Sequence, residues 1–430
     1  MDIALERSSI RGTIYAPPSK SVAQRLILAL SLTSPGRSMI SRLPSCEDVE
    51  ASLRFVRALG INVERHDNNI IAEIPEEVEI REKIVNLGDS GTTYRIAMGI
   101  AATFNRDIIL ECGRTMRRRP IEDLVEALRK LGAEIQYLEE EGYPPIRIRG
   151  PIRGGKINIR GDVSSQYISS LIYAGVRSKD GVEIYVKPPI VSRPYIDLTV
   201  DILRNLGADV DVEENEELII YSYPSELHRF NVDVPGDYAL SAFLMTIAAV
   251  CGEEIIIRGF NDNLNRVDSE IIDHLKNMNV KVRKLGDIVY VAYSDSVEPY
   301  DVDLKDTPDL VMPIAALMAF AEGTSVIRNV KHLAYKESNR LREIKRTLSS
   351  FGVRVNIDEE KGIIEITGRG KYNPATIELP DDHRIAMMCS VIGLAIDGKT
   401  ILKNAECVRK SWPEYWDVLK KLGAKVEVIS

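Results

Sequence analysis

Leu128-Arg129-Lys130-Leu131-Gly132-Ala133-Glu134-Ile135 decides the fold of this 430-residue chain, because the chain repeats its logic six times. An amphipathic helix ends in Leu-Gly and a strand follows. The phrase stands at Leu59-Gly60, Leu131-Gly132, Leu206-Gly207, Met278-Asn279, Phe351-Gly352 and Leu422-Gly423, at intervals of 72, 75, 72, 73 and 71 residues. Glycine and asparagine both tolerate the left-handed backbone that stops a helix. A second marker, small or acidic residues before an apolar helix, runs in step with the first. It stands at Lys20-Ser21, Asp89-Ser90, Asp162-Val163, Asp237-Tyr238, Asp309-Leu310 and Asp382-His383, at intervals of 69, 73, 75, 72 and 73 residues. Two markers in phase define internal repeats. Six such units divide naturally into three plus three.

Residues 88–135 show the shape of one unit: strand, helix, strand, helix, strand. Gly88-Asp89-Ser90-Gly91 opens a helix carrying Ala97, Met98, Ile100 and Ala101, and Ile108-Ile109-Leu110 is an apolar run of strand length. Pro120 is expected in the first turn of the next helix. Glu122-Asp123 and Arg129-Lys130 then match the two ends of that helix's dipole.

The composition, 44% hydrophobic and 28% charged, is that of a globular chain. No apolar run is long enough to cross a bilayer, and Met1-Asp2-Ile3-Ala4 begins no signal peptide, so a cytoplasmic protein is expected. Cys46, Cys112, Cys251, Cys389 and Cys407 lie far apart without CxxC spacing, which speaks against a disulfide framework and against zinc. No metal and no cofactor is expected. A net charge of −8 disfavours nonspecific nucleic-acid binding, although local basic clusters can still hold anions.

Two positions recur in every unit: a helix N-terminus, and the loop after the next strand. Helix N-termini offer free N–H groups to phosphate or carboxylate. Pro17-Pro18-Ser19-Lys20-Ser21 opens a helix with Lys20 and Arg25 close together; a plain cap is the simpler reading of that start. Gly88 through Arg95 is glycine-punctuated, and Gly91 would let a ligand approach the backbone. Arg114-Thr115-Met116-Arg117-Arg118-Arg119-Pro120 reads first as a solvated basic face, but its loop position makes Arg119 a candidate for bidentate anion contact. Ser164-Ser165-Gln166 and Ser192-Arg193-Pro194 place hydroxyls and an amide at the matching places of the third unit. Asp309 follows Pro308 at a helix start, where an acid is a normal cap. Lys336 and Arg340, four apart, are expected to share a helical face with Glu337 adjacent, and an exposed ion-pair patch is the plain alternative. Asp381-Asp382-His383-Arg384 and Lys410-Ser411 complete the set. Lys20, Arg25, Arg95, Arg119, Lys336, Arg340, Arg384 and Lys410 thus sit in register in an acidic chain. The sum points to two small anionic substrates held between two domains.

These residues resemble the 5-enolpyruvylshikimate-3-phosphate synthase family over essentially the whole chain. The motifs are Ser19-Lys20-Ser21 with Arg25, Leu87-Gly88 through Gly91-Thr92 and Arg95, Arg119-Pro120, Ser164-Ser165-Gln166, Pro308-Asp309, Lys336-Glu337 with Arg340, Asp382-His383-Arg384 and Lys410. The resemblance implies an α/β fold of two domains, six βαβαββ repeats with three per domain, and helices buried under the sheets. One domain would comprise residues 1–19 plus 236–430 and carry the catalytic acids. The other would comprise 20–235 and carry most contacts to 3-phosphoshikimate. The implied reaction transfers enolpyruvyl from phosphoenolpyruvate to the 5-hydroxyl of 3-phosphoshikimate and releases phosphate. Asp309 would take the hydroxyl proton, while Glu337 and Lys20 would protonate and later deprotonate the methylene carbon. Lys20, Ser21, Arg25, Ser164, Ser165, Gln166, Ser192, Asp309 and Lys336 would hold 3-phosphoshikimate. Lys20, Gly91, Arg119, Gln166, Arg340, Arg384 and Lys410 would hold phosphoenolpyruvate. Domain closure would exclude water. The partners would be these small molecules alone, with no nucleic acid and no membrane, and the protein would be a monomer and a target of glyphosate.

Three departures stand out. Asp89-Ser90-Gly91-Thr92 replaces the family's usual Asn-Ala-Gly-Thr, His332 stands where relatives often carry asparagine, and Ser338-Asn339 replaces the commoner Thr-Asp or Ser-Asp. A UDP-N-acetylglucosamine enolpyruvyl transferase is one alternative. It would use a cysteine before the arginine–proline pair, and Cys112 lies too far upstream of Arg119 for that spacing. An RNA 3′-phosphate cyclase-like protein is another, but it calls for a basic balance or aromatic stacking surfaces.

Overall fold

In the computed structural model, residues 1–214, 216–368 and 371–429 are described. The chain forms two compact units, Met1–Pro17 with Pro235–Ser430, and Pro18–Val234. In Pro18–Val234 the helices are α1 (Lys20–Ala29), α2 (Glu47–Ala58), α3 (Gly91–Ala101), α4 (Glu122–Lys130), α5 (Ser165–Arg177) and α6 (Arg193–Asn205). The other unit holds α7 (Tyr238–Cys251), α8 (Ile271–Asn277), α9 (Val311–Met318), α10 (Arg340–Ser350), α11 (His383–Ala395) and α12 (Tyr415–Lys421).

Among the described residues each repeat builds one four-stranded sheet, and all six sheets share a single strand order. In the second repeat Ile84–Asn86 runs parallel to Ile108–Glu111, which pairs antiparallel with Ile146–Arg149, and that strand pairs antiparallel with Glu134–Tyr137. A parallel pair needs a crossover, and α3 supplies it. The crossover helices are apolar all round and almost wholly buried, as α7, α9 and α11 show most fully. The alternate helices are amphipathic and cover one face each, α4 through Leu124, Val125, Ala127 and Leu128. The helix stops behave as their spacing predicts: φ is positive at Gly60, Gly132, Gly207, Asn279, Gly352 and Gly423.

The repeats are not consecutive blocks of sequence at either end of Pro18–Val234. The first strand of the repeat containing α1 is Asn231–Asp233, which pairs parallel with Gly36–Ser41. Gly12–Tyr15 serves the repeat of α7 by pairing with Glu254–Arg258. Ile3–Glu6 lies between Lys399–Lys403 and Lys425–Val428, closing the last repeat with the first strand of the chain. Pro120 also lies outside its helix, since Ile121 is the cap of α4.

The parallel pair positions the chemistry. Its first strand leads into a buried helix N-terminus and its second leads into a loop. Both recurring positions therefore lie at the carboxyl ends of neighbouring strands, where open α/β sheets place their ligands.

Candidate active site

In Pro18–Val234, α1 begins at Lys20 behind Ser19, whose side chain makes no cap bond. Lys20 Nζ lies 2.7 Å from Asp48 Oδ2, with both side chains mostly buried. Arg25 is 1% exposed. Its guanidinium donates to Thr199 Oγ1 (2.8 Å), Ser21 O (3.0 Å) and Tyr195 O (3.1 Å), joining α1 to α6. Burial pulls its pKa down, against Tyr173 and Tyr195. Ser192 precedes α6 in the left-handed region, at φ 55°.

Gly91 is the first residue of α3, and the Arg119 guanidinium lies against it: a Cβ added there would stand 2.7 Å from Arg119 Cζ. Arg119 is buried and its Nε has no hydrogen-bond partner among the described residues. The arginine run divides by position. Arg114 and Arg118 are exposed, Arg117 pairs with Glu111 (2.9 Å) and with Glu139, and Arg119 alone turns inward. Arg95 donates to Gln166 Oε1 and to Pro120 O, while Gln166 Nε2 donates to Thr92 Oγ1 at 2.9 Å. That network ties α3 to α5 and orients the Gln166 amide. Ser164 caps α5 through the Gln166 amide, the ordinary role of a serine there, and Ser165 is buried behind it.

In the other unit, Arg340 gathers the acids. Its guanidinium reaches Asp309 Oδ1 (3.1 Å), Glu337 Oε2 (2.8 Å) and Asp382 Oδ2 (2.9 Å), and it is 1% exposed. Arg384 Nη2 lies 2.8 Å from Asp309 Oδ2. Asp309 therefore sits in the short turn Pro308–Leu310 as the partner of both arginines. Burial works to raise its pKa, but Arg384, Arg340 and Lys336 overcome this and hold the carboxyl well below the usual range. For Arg340, burial lowers the pKa while Asp382, Glu337 and Asp309 raise it, and the acids win. Lys336 does not share a helical face with Arg340. It is extended, between the turn Lys331–Tyr335 and the start of α10, because that turn ends before the helix begins. Lys410 Nζ lies 2.7 Å from Asp381 Oδ2.

Sequence reasoning passed over Asp48, and it left Asp382 without a role. Both stand in or beside a first helical turn, where an acid reads as a dipole partner. Asp382 does cap α11 through Arg384 N, and it also accepts from Arg340 and from Ser338 Oγ (2.9 Å).

His332 is 6% exposed, and its Nε2 has no hydrogen-bond partner among the described residues. Burial lowers its pKa to about 3, with Lys336 and Arg340 adding to the effect and Asp309 opposing it. The unfolded chain binds that proton near pH ~6.5. The native state is therefore fully favoured above that pH and loses stability as the pH falls toward 3. His332→Asn should remove this slope, so that between pH 7 and 5 the wild type loses about 2 kcal/mol more than the variant. Urea midpoints at the two pH values measure it, and equal slopes would refute the burial argument.

Cys112 is buried, and burial pushes its thiol up to about 12, against the nearby Arg117. It is a packed thiol and offers no reactive thiolate.

Residues 5–419 match the family described as EPSP synthase (3-phosphoshikimate 1-carboxyvinyltransferase). A 3-phosphoshikimate 1-carboxyvinyltransferase of Caldivirga maquilingensis is 38% identical, with 100% of each chain covered. Its counterpart in Methanopyrus kandleri is 34% identical over 98% of this chain and 97% of its own. Among solved structures, an EPSP synthase from Acinetobacter baumannii superposes with a TM-score of 0.83 at 24% identity, covering 100% of both chains. The enolpyruvyl transferase NikO from Streptomyces tendae gives 0.78 at 17% identity, covering 99% of this chain and 98% of its own. These two likenesses bear on the fold.

Proposed function

The chain belongs to the EPSP synthase family, and from that membership we propose how its residues divide the reaction. The enzyme is a transferase of aromatic amino-acid biosynthesis. It moves the enolpyruvyl group of phosphoenolpyruvate to the 5-hydroxyl of 3-phosphoshikimate and releases phosphate. Neither the sugar-nucleotide alternative nor the cyclase alternative is favoured.

In our reading Asp309 takes the hydroxyl proton as that oxygen bonds to C2 of phosphoenolpyruvate. The electron pair of the double bond takes a proton from Glu337 or Lys20, so the methylene becomes a methyl group. A tetrahedral intermediate results. Return of a methyl proton to the same pair re-forms the double bond, the C–O bond to phosphate breaks, and phosphate leaves. Lys20, Gly91, Arg119, Gln166, Arg340, Arg384 and Lys410 hold phosphoenolpyruvate. Lys20, Ser21, Arg25, Ser164, Ser165, Gln166, Ser192, Asp309 and Lys336 hold 3-phosphoshikimate.

The observation that carries this reading is the fork of Arg340 onto Asp309 and Glu337, with Arg384 on the far oxygen of Asp309. Two arginines bound to internal carboxylates can exchange those partners for the carboxylate of a substrate. Charge-assisted bonds of that kind contribute roughly 1.5–3 kcal/mol each.

We place the enzyme in the cytoplasm as a monomer. Its five cysteines are unpaired, the state that a reducing compartment maintains. Sedimentation at micromolar concentration tests the monomer. For the reaction itself, phosphate release from phosphoenolpyruvate is measured with either acceptor. Release with 3-phosphoshikimate and none with UDP-N-acetylglucosamine is expected, and the reverse pattern would sink the proposal.

A further inference from the structure

Asp89, the acid in the turn that opens α3, is not the cap of that helix. The cap position is Ser90, which makes no side-chain cap bond. Asp89 Oδ1 instead accepts the backbone N–H groups of Thr115 (2.8 Å) and Met116 (2.9 Å). These open the short turn Met116–Arg118, and the next residue is Arg119. Amides at the start of a helical turn have no partner of their own, and bonds from them to a carboxylate are stronger than neutral ones. The backbone docks the same loop twice more, Leu87 N to Glu111 O (3.0 Å) and Gly113 N to Gly88 O (2.8 Å).

Gly113 is fitted to this carboxylate. Its φ is not positive, so its own backbone does not call for glycine, but a Cβ there would stand 2.6 Å from Asp89 Cγ. At the far end of the loop the Arg119 guanidinium lies against Gly91. The turn Gly88–Gly91 therefore sets both ends of the segment: Asp89 holds its start, and Gly91 leaves room for its end.

We propose that Asp89 is a positioning residue: by holding Thr115 and Met116 it fixes the reach of Arg119 over the start of α3, and thereby sets affinity for phosphoenolpyruvate. The inference rests on reading Gly91 and Arg119 as part of that substrate's site. Both amides go to a single oxygen, which an asparagine can supply and an alanine cannot. Asparagine also removes a negative charge near an anion.

Asp89→Asn, Asp89→Ala, Gly113→Ala and the double alanine variant test it with two readouts. Hydrogen exchange at Thr115 and Met116 reads the contact without any turnover. Protection is expected in the wild type and in Asp89→Asn, with exchange at least about tenfold faster in Asp89→Ala. Kinetics read the consequence. In Asp89→Ala the KM for phosphoenolpyruvate should rise by about tenfold or more, with the KM for 3-phosphoshikimate unchanged. Asp89→Asn should stay at or below the wild-type KM. Gly113→Ala should reproduce the rise, and the double variant should be no worse than Asp89→Ala, because clash and lost cap concern one contact. An unchanged phosphoenolpyruvate KM in Asp89→Ala, equal losses in the asparagine and alanine variants, or full additivity in the double variant would overturn the proposal. A wild type silent with both substrates would instead fail the functional reading, and amide exchange would still decide the contact.

Discussion

Asp309→Ala and Glu337→Ala are each expected to lower kcat by roughly 10²–10⁴-fold, the span that a positioned acid or base contributes. Neither substitution removes the whole charge balance around Arg340. Each leaves the guanidinium with two of its three carboxylates, Asp382 among them. The variants should therefore stay folded, which a urea midpoint close to that of Asp309→Asn or Glu337→Gln would establish. Asp309 also presents an apparent conflict. A carboxyl held well below its usual range by Arg384 and Arg340 is a weak base. The same two arginines are those proposed to bind the carboxylate of phosphoenolpyruvate. When that anion takes their hydrogen bonds, Asp309 loses the partners that depressed it and regains proton affinity beside the hydroxyl it must deprotonate. Turnover near the wild-type rate in either alanine variant would remove the assigned role.

Much of this arrangement is legible in the sequence, and the reason is local. A helix stop needs a residue that accepts positive φ, so Gly60, Gly132 and their counterparts mark the repeat wherever it occurs. Arg119 is picked out from its neighbours by position, as the last residue before Pro120 in a loop that recurs. Long-range pairing leaves no such mark. Nothing within Asn231–Asp233 says that it pairs with Gly36–Ser41, or that Ile3–Glu6 closes the last sheet. The pairing of a cation with an acid on another element is hidden for a similar reason. Asp48 lies in the first turn of α2 beside Glu47, where a helix dipole already explains it. Lys336 and Arg340 have helical spacing, yet Lys336 is extended after the turn Lys331–Tyr335 and α10 begins only at Arg340, so the expected shared face does not form.

Arg340→Ala is expected to cost about 3–5 kcal/mol of stability, the range for breaking a buried ion pair by removing one partner. The residue is 1% exposed and Asp382 is 0% exposed, so water cannot replace what is lost. Arg340→Lys should rescue only part of it, since an ammonium is a point charge and cannot fork onto Asp309, Glu337 and Asp382 together. The dependence on pH separates this account from a simple packing loss. Without the guanidinium the carboxylates repel one another in a buried setting, and binding a proton relieves that repulsion in the folded variant. A group with a raised folded pKa favours the native state below its unfolded value, and that benefit is lost as the pH rises through the folded value. The deficit of Arg340→Ala relative to wild type should therefore shrink as the pH falls from 7 toward 5. Urea titrations at both values measure it. A deficit that stays constant with pH would mean that Arg340 acts through volume alone, and the acids around it would then need another source of charge balance.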